Sequence, residues 1–261
     1  MANLRIGYQN HADSATLSAS PALDAATPVS YLQNDARGDL ILATSTASQQ
    51  IDGTWGGAQK TVAQLSLYWL NLAHSDTVRL QLYSDAAWTT QVYDSGAVAA
   101  WTSGLFDAWG WGFVNRYFSP TACKSFRITA AASAAPLQCG RLYLGPYSEA
   151  PFNPDYGPFS PGRATNAKTG RSEGGSRSAQ VKPHWRTQTF EMMVETEAQR
   201  AEWSEIGRAC GTWLSFVISL FPGAGGTAER DFTLYAAFDV HPGEKLTGWN
   251  QYDFSVKVSE L

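Results

Sequence analysis

Two runs in the first half of the chain decide the fold: Gln64-Leu65-Ser66-Leu67-Tyr68-Trp69 and Thr77-Val78-Arg79-Leu80-Gln81-Leu82-Tyr83. Apolar residues occupy alternate positions in both of them. Because successive side chains of a strand point to opposite faces, each run predicts a strand with one core face and one water face. The link between them contains Asn71, Ser75 and Asp76, which favour a turn. The two runs are therefore predicted to be adjacent strands.

Short alternating runs recur on both sides of this pair, with turn residues between them. They lie at 15–19, 40–44, 49–53, 116–118, 125–129 and 139–145. Short strands at such even spacing indicate an antiparallel β-sandwich. The chain is therefore predicted to be mainly β, with an N-terminal sandwich over residues 1–146.

A helix signal appears in the C-terminal part of the chain. Thr196 and Gln199 have the spacing of a capping box, in which each side chain accepts a hydrogen bond from the other residue's backbone. Gly211 stands where a helix of this length would end. The apolar face of the predicted helix consists of Trp203, Ile206 and Cys210.

Four strands are predicted around this helix, at 187–194, 213–221, 231–240 and 251–258. Together they predict a small α+β domain over residues 185–261, with one main helix. One helix covers a sheet only thinly, so we expect an exposed sheet face or edge to meet another copy of the chain.

The segment between the two predicted domains, residues 147–184, is rich in proline, glycine and serine. Such a composition buries too little apolar surface to offset its ordering entropy. The segment is also basic, which leaves two interpretations: a solvated linker, or an arm docked on an acidic face of another subunit. The cations assigned to such an arm are Arg163, Lys168, Arg171 and Arg177.

The overall composition excludes several classes of protein. A formal net charge of -4 over 261 residues argues against attraction to nucleic acid or to an anionic membrane. No apolar run is long enough to cross a bilayer, and no secretory signal is recognised, so we expect synthesis in a cytoplasm. Cys123, Cys139 and Cys210 are predicted to be buried free thiols, with a Cys123–Cys139 disulfide as the alternative.

No sequence motif predicts a catalytic residue, a metal site or a cofactor. Asp94 and Asp107 are interpreted as residues that shape turns, although carboxylate spacing alone leaves a glycosidase open. Loops rich in Asp and Asn would suit a structural calcium ion, but no set of ligands stands out. The protein is therefore predicted not to be an enzyme.

An aromatic, glycine-spaced segment at 101–112 is the main candidate for function. Exposed indole faces stack on sugar rings, and Asp107 or Asn115 could hydrogen-bond to sugar hydroxyls. The alternative is that these rings seal the end of the sandwich or a subunit contact. The glycan or interface aromatics are Trp101, Phe106, Trp109 and Trp111.

The order of four short motifs resembles one known family. They are 62–72, 78–83, Tyr93-Asp94-Ser95-Gly96 and 140–145. In this order they are similar to the galactose-binding-like, or discoidin-type, sandwich of tail proteins of tailed bacteriophages. The proline-rich stretch, the Ser/Gly/Arg-rich segment and the strand-helix-strand domain that follow are also similar to those proteins.

This resemblance implies a structural virion protein of the tail tip or baseplate, similar to distal tail proteins. Such a protein would be made in the bacterial host and assemble into a symmetric ring, a trimer or hexamer. The ring would connect the tail tube to host-contacting tail proteins, and its sandwich could contact a cell-surface glycan. The alternative function is a carbohydrate-binding module that recognises bacterial surface glycans.

Overall fold

The computed structural model describes residues 2–102, 112–132, 134–154, 160–165, 169–171, 173, 177–179, 184–248 and 251–261. They divide into two compact units. Unit 1 comprises Met1–Glu149 and Phe216–Thr233, and unit 2 comprises Ala150–Ser215 and Leu234–Leu261. The sequence placed residues 216–233 in the C-terminal domain, whereas here they belong with the N-terminal residues.

The first sheet of unit 1 runs in the order β2-β4-β10-β6-β7, and β8 pairs with β6 beside β7. All of its pairs are antiparallel. The predicted alternation of Val78, Leu80 and Leu82 is confirmed, since all three are buried. The strands are β2 (Thr16–Ser20), β4 (Gln49–Thr54), β6 (Thr77–Tyr83), β7 (Gln91–Asp94), β8 (Val98–Ala99) and β10 (Ser125–Ala131).

The second sheet of unit 1 runs in the order β12-β5-β9 and is also antiparallel. Its Leu65 and Leu67 belong to the same buried cluster as Leu80 and Phe126 of the first sheet. The two sheets therefore enclose one core, and the predicted antiparallel sandwich is confirmed. The strands are β5 (Lys60–Tyr68), β9 (Phe113–Cys123) and β12 (Arg141–Gly145), beside a two-stranded ribbon of β3 (Ile41–Leu42) and β11 (Gln138–Cys139).

A third group of strands adds to the sandwich in unit 1. The N-terminal strand β1 (Arg5–Gly7) pairs on one side with β13 (Ser148–Glu149) and on the other with β18 (Phe216–Ser219). Gly7 lies so close to the outer face of β5 that an added Cβ would be 2.4 Å from Oε1 of Gln64. Unit 1 therefore covers both faces of β5.

The covered outer face of the second sheet is polar. Gln64 Nε2 donates to Ser66 Oγ at 3.1 Å and to Asn115 Oδ1 at 3.0 Å, and Ser66 Oγ donates to Asn115 Oδ1 at 2.6 Å. All three residues are buried. Hydrogen bonds among them offset part of the cost of removing these groups from water, while Gln64 Oε1 and Asn115 Nδ2 have no hydrogen-bond partner among the described residues.

Unit 2 contains an antiparallel sheet with β21 at its centre. Strand β21 pairs with β17 on one side and with both β19 and β20 on the other, and β14 pairs with the far side of β17. Its helix α1 (Glu197–Cys210) begins with the predicted capping box at Thr196 and buries Trp203, Ile206 and Cys210, as expected. The strands are β14 (Ser160–Thr165), β17 (His184–Val194), β19 (Thr233–Phe238), β20 (Gly243–Gly248) and β21 (Gln251–Glu260), beside a hairpin of β15 (Thr169–Arg171) and β16 (Arg177–Ala179).

Three predicted elements differ from the structure. The apolar run at 213–221 forms a strand only over Phe216–Ser219, because Trp213 and Leu214 lie in the exposed turn after α1. The strand predicted at 231–240 is preceded by a second helix, α2 (Gly226–Phe232). Residues predicted as a linker or arm include β14, which is ordered by pairing with β17 of the same chain.

Two further features concern cysteines and membranes. Cys123, Cys139 and Cys210 are all free and buried, so the predicted disulfide alternative is wrong. Burial raises the pKa of the Cys123 and Cys139 thiols to about 12.

Within the described ranges, no helix has both the length and the apolar character needed to cross a bilayer.

The central position of β1 gives a stability prediction. Ile6 is 0% exposed, so Ile6→Ala should lower the free energy of unfolding of unit 1 by about 2–5 kcal/mol, through lost apolar burial and a residual cavity. Urea denaturation followed by tryptophan fluorescence measures this. Val92→Ala is the control, because Val92 is 45% exposed on β7 and should change stability by only about 0.5 kcal/mol. Equal effects of the two variants would contradict the central role of β1.

Candidate functional site

The aromatic residues proposed from sequence are not a surface site in the described part of the chain. Trp101 is 2% exposed and belongs to the sandwich core. The Trp101 ring is thus part of the core and not an exposed stacking surface. Phe106, Trp109 and Trp111 lie outside the described residues, as does Asp107. Asn115, proposed as a partner for sugar hydroxyls, is buried in the polar group beneath β1.

The basic residues proposed for an inter-subunit arm are described only in part. Arg163 is exposed on β14, opposite Arg186 of β17, and Arg171 is exposed at the end of β15. Lys168 and the side chain of Arg177 lie outside the description. The arm and its docking on another subunit therefore stay predictions.

A cleft of about 120 Å³ opens in unit 1 at the edge where β9 faces β6, β7 and β8. Leu65, Val78 and Leu80 line its inner part, and all three belong to the sandwich core. The remaining lining residues come from β7 and the turn after it, and from β8 and β9: Tyr93, Ser95, Val98, Arg116, Tyr117 and Phe118. The cleft therefore joins an apolar floor to a mixed aromatic and polar rim.

Two stacked rings form the aromatic wall of the cleft. The ring centroids of Tyr93 and Phe118 are 4.8 Å apart, with an interplanar angle of 23°. Both residues are half-buried, so each ring packs on the core while part of it still faces solvent. Partial burial raises the pKa of the Tyr93 hydroxyl, with a smaller contribution from the negative charge of Asp94. Tyr93 is therefore neutral at ordinary pH.

Among the described residues that line the cleft, Arg116 is the only charged one. It pairs with Leu65 in the ladder between β5 and β9, and this register directs its side chain inward. Its guanidinium donates to the carbonyl oxygens of Asn115 at 2.8 Å, of Ala99 and of Ala100 at 2.8 Å. Burial lowers the pKa of Arg116. The side chain is thus held in place by neutral acceptors.

The turn after β7 is built by the motif Tyr93-Asp94-Ser95-Gly96. The Arg79 Nε donates to Asp94 Oδ1 at 2.9 Å, and the Gly96 amide donates to the same oxygen at 2.8 Å. Ser95 Oγ accepts from the Leu80 amide and donates to the Gly96 carbonyl, both at 2.8 Å. Asp94 therefore shapes a turn, as the sequence suggested, and this turn positions Tyr93.

The sequence of β9 contains a signal for this cleft that lies outside the aromatic segment at 101–112. Val114, Arg116 and Phe118 are alternate residues on β9, so they share the inward face of the strand. A charged residue between two apolar ones on a core-facing row is unusual and marks a place where the core opens to the surface.

The described residues do not suggest metal or acid–base chemistry. No group of three or more His, Cys, Asp or Glu side chains among them could hold a metal ion. The described lining of the cleft includes no carboxylate and no histidine. Its arrangement is suited to holding a small ligand by ring contact and by hydrogen bonds from a cation.

No known protein family matches the sequence, and no curated protein matches it. Among solved structures, SpGH29 is 15% identical to this chain, with a TM-score of 0.41. The match covers 54% of this chain and 28% of the SpGH29 chain. Chitosan-binding module 1 of a chitosanase/glucanase from Paenibacillus sp. IK-5 is 17% identical, with a TM-score of 0.40. This match covers 52% of this chain and 98% of the module. A Streptococcus pneumoniae fucose binding module is 11% identical, with a TM-score of 0.40, and the match covers 53% of this chain and 95% of that module. At these identities and TM-scores, the similarities carry no functional argument by themselves.

The turn that positions Tyr93 gives a prediction about pH. The hydrogen bond from Arg79, helped by the Gly96 amide, lowers the pKa of Asp94 from 3.8 to about 2. Because the folded-state pKa is below the unfolded value, this stabilisation is complete above about pH 4 and is lost as the pH falls towards 2. NMR titration of the Asp94 carboxyl should therefore give a midpoint near 2. Arg79→Gln should raise that midpoint, and a midpoint near 3.8 in the unmodified protein would contradict the pairing.

Proposed function

We propose that unit 1 is a non-catalytic module that binds a saccharide through the cleft beside β9. The observation that carries this proposal is the stacked pair Tyr93 and Phe118 next to the inward-facing Arg116. A pyranose ring has apolar C–H faces and a polar edge, and it needs an aromatic surface beside hydrogen-bond donors. The cleft has both.

The size of the cleft limits what it could hold. Its volume of about 120 Å³ is well below the roughly 300–1,000 Å³ of pockets that enclose drug-sized ligands. It therefore suits one ring, or one substituent, of a longer glycan. A site of this size is expected to bind weakly, and multiple copies would be needed for firm attachment to a glycan-coated surface.

Substitutions in the aromatic wall test this proposal. Tyr93→Ala should weaken binding to a saccharide by about tenfold, equivalent to about 1.4 kcal/mol, because one face of the ring contact is lost. Calorimetric titration with a panel of mono- and disaccharides measures the affinity. Phe152→Ala is the matched control, since Phe152 is an exposed aromatic residue of unit 2 that does not line the cleft.

A second variant separates lost contact from lost stability. Val98→Phe keeps Tyr93 and Phe118 in place but adds bulk to an exposed residue that lines the cleft, so it should also reduce binding. If neither variant alters binding while both remain folded by circular dichroism, the cleft is not the saccharide site. Absence of binding by the unmodified protein to the whole panel would overturn the proposal.

A second candidate function is a structural role in a multi-copy assembly. Unit 2 leaves large apolar side chains in water: Trp213 is 76% exposed and Leu246 on β20 is 65% exposed. Exposed apolar side chains of this size favour a partner surface. Together with the family resemblance, they support the proposal of a ring-forming subunit of a phage tail tip, located in the virion and in contact with other tail proteins.

Light scattering over a range of concentrations tests the assembly candidate. We expect a discrete trimer or hexamer, and the double variant Trp213→Ser/Leu246→Ser should shift the mass towards that of a monomer. Val92→Ser in unit 1 is the control and should leave the mass unchanged. A monomer at every concentration would contradict self-assembly of the isolated protein.

A further inference from the structure

We propose that the cleft selects an anionic saccharide, and that Arg116 binds the carboxylate of a uronic-acid-type ring. This inference rests on the proposed saccharide function and names its ligand class. Arg116 lines the cleft from the inward face of β9, between the aromatic wall and the carbonyls of the strand β8 region. A ligand in the cleft would therefore meet a cation at one end and two rings at the side.

Arg116 keeps hydrogen-bonding capacity for a ligand. A guanidinium carries five N–H donors. Three are used, by the carbonyl oxygens of Asn115, Ala99 and Ala100. The Nε–H and one Nη1–H have no acceptor among the described residues. The Nε–H shares its edge of the guanidinium with Nη2, so these two free donors lie on different edges, and each can give one hydrogen bond to a ligand oxygen.

Unlike comparable arginines of unit 1, Arg116 forms no ion pair with a carboxylate in the described ranges. The other buried or half-buried arginines on the sheets of unit 1 each form an ion pair with a carboxylate: Arg5 with Glu149, Arg79 with Asp94, Arg127 with Asp52, and Arg141 with Asp13 and Asp35. No carboxylate in the described ranges forms an ion pair with Arg116. A half-buried cation that forms no ion pair loses hydration without full compensation, and an anionic ligand would lower that cost.

Two acidic groups near the cleft do not replace such a ligand. Glu229 on α2 interacts electrostatically with Arg116, but it forms no ion pair with it, and its Oε2 accepts from the Gly225 amide at 3.0 Å. Burial raises the pKa of the Glu229 carboxyl. Asp94 is already bound by Arg79. Neither acidic group therefore forms an ion pair with Arg116.

Matched pairs of sugars test this inference. Glucuronate against glucose and galacturonate against galactose differ only at the group that Arg116 would bind. We expect the unmodified protein to bind at least one uronate about tenfold more tightly than its neutral partner. Arg116→Gln should bring that ratio close to one, because it lowers the affinity for the uronate more than the affinity for the neutral sugar, while Arg116→Lys should keep part of the preference.

Ionic strength provides a readout without any variant. Raising the salt concentration shortens the Debye length from about 10 Å at 0.1 M to about 3 Å at 1 M, so uronate binding should weaken while neutral-sugar binding stays constant. A ratio near one in the unmodified protein, with both sugars bound, would overturn the anionic preference and leave the proposed function intact. Binding of no sugar at all would overturn both. A retained preference in a folded Arg116→Gln variant would assign the selectivity to another group.

Discussion

The architecture of unit 1 depends on one constraint: β5 is buried on both of its faces. Its inward residues Leu65 and Leu67 enter the apolar core shared by the two sheets. Its outward residues Gln64 and Ser66 are equally buried but polar, and they hydrogen-bond to each other and to Asn115. A strand covered on both sides normally has apolar residues on both. Here the polar row requires specific partners, which fixes the register of β9 against β5.

That register determines the chemistry of the cleft. Once Asn115 is held beneath β1, the next residue along β9 must point the opposite way, towards the core. The residue at that position is Arg116, and its side chain reaches the open edge of the sandwich, where backbone carbonyls accept its hydrogen bonds. The polar layer on one side of the sheet and the cation on the other are thus consequences of the same strand pairing.

The sandwich and the helix α1 could be predicted because both depend on local patterns. Alternation in β6 and the capping box at Thr196 are read directly from residue types. The helix α2 could not, because its seven residues are too few to show a helical period and follow two glycines with positive φ. The cleft required knowledge of which strands are neighbours, since Tyr93 and Phe118 are distant in sequence. Exposed indoles were expected at Trp101, but tertiary packing buries that ring.

The pairing of β1 sets the order in which unit 1 can be completed during synthesis. Ile6 lies opposite Ile218, so the strand partner of this residue is translated long after the residue itself. The strand can pair on that side only after all the intervening residues have been translated. Until then, the polar row on β5 lacks part of its cover, and the nascent sandwich exposes an edge to which other chains can pair. Rapid translation of the last segment would shorten this interval.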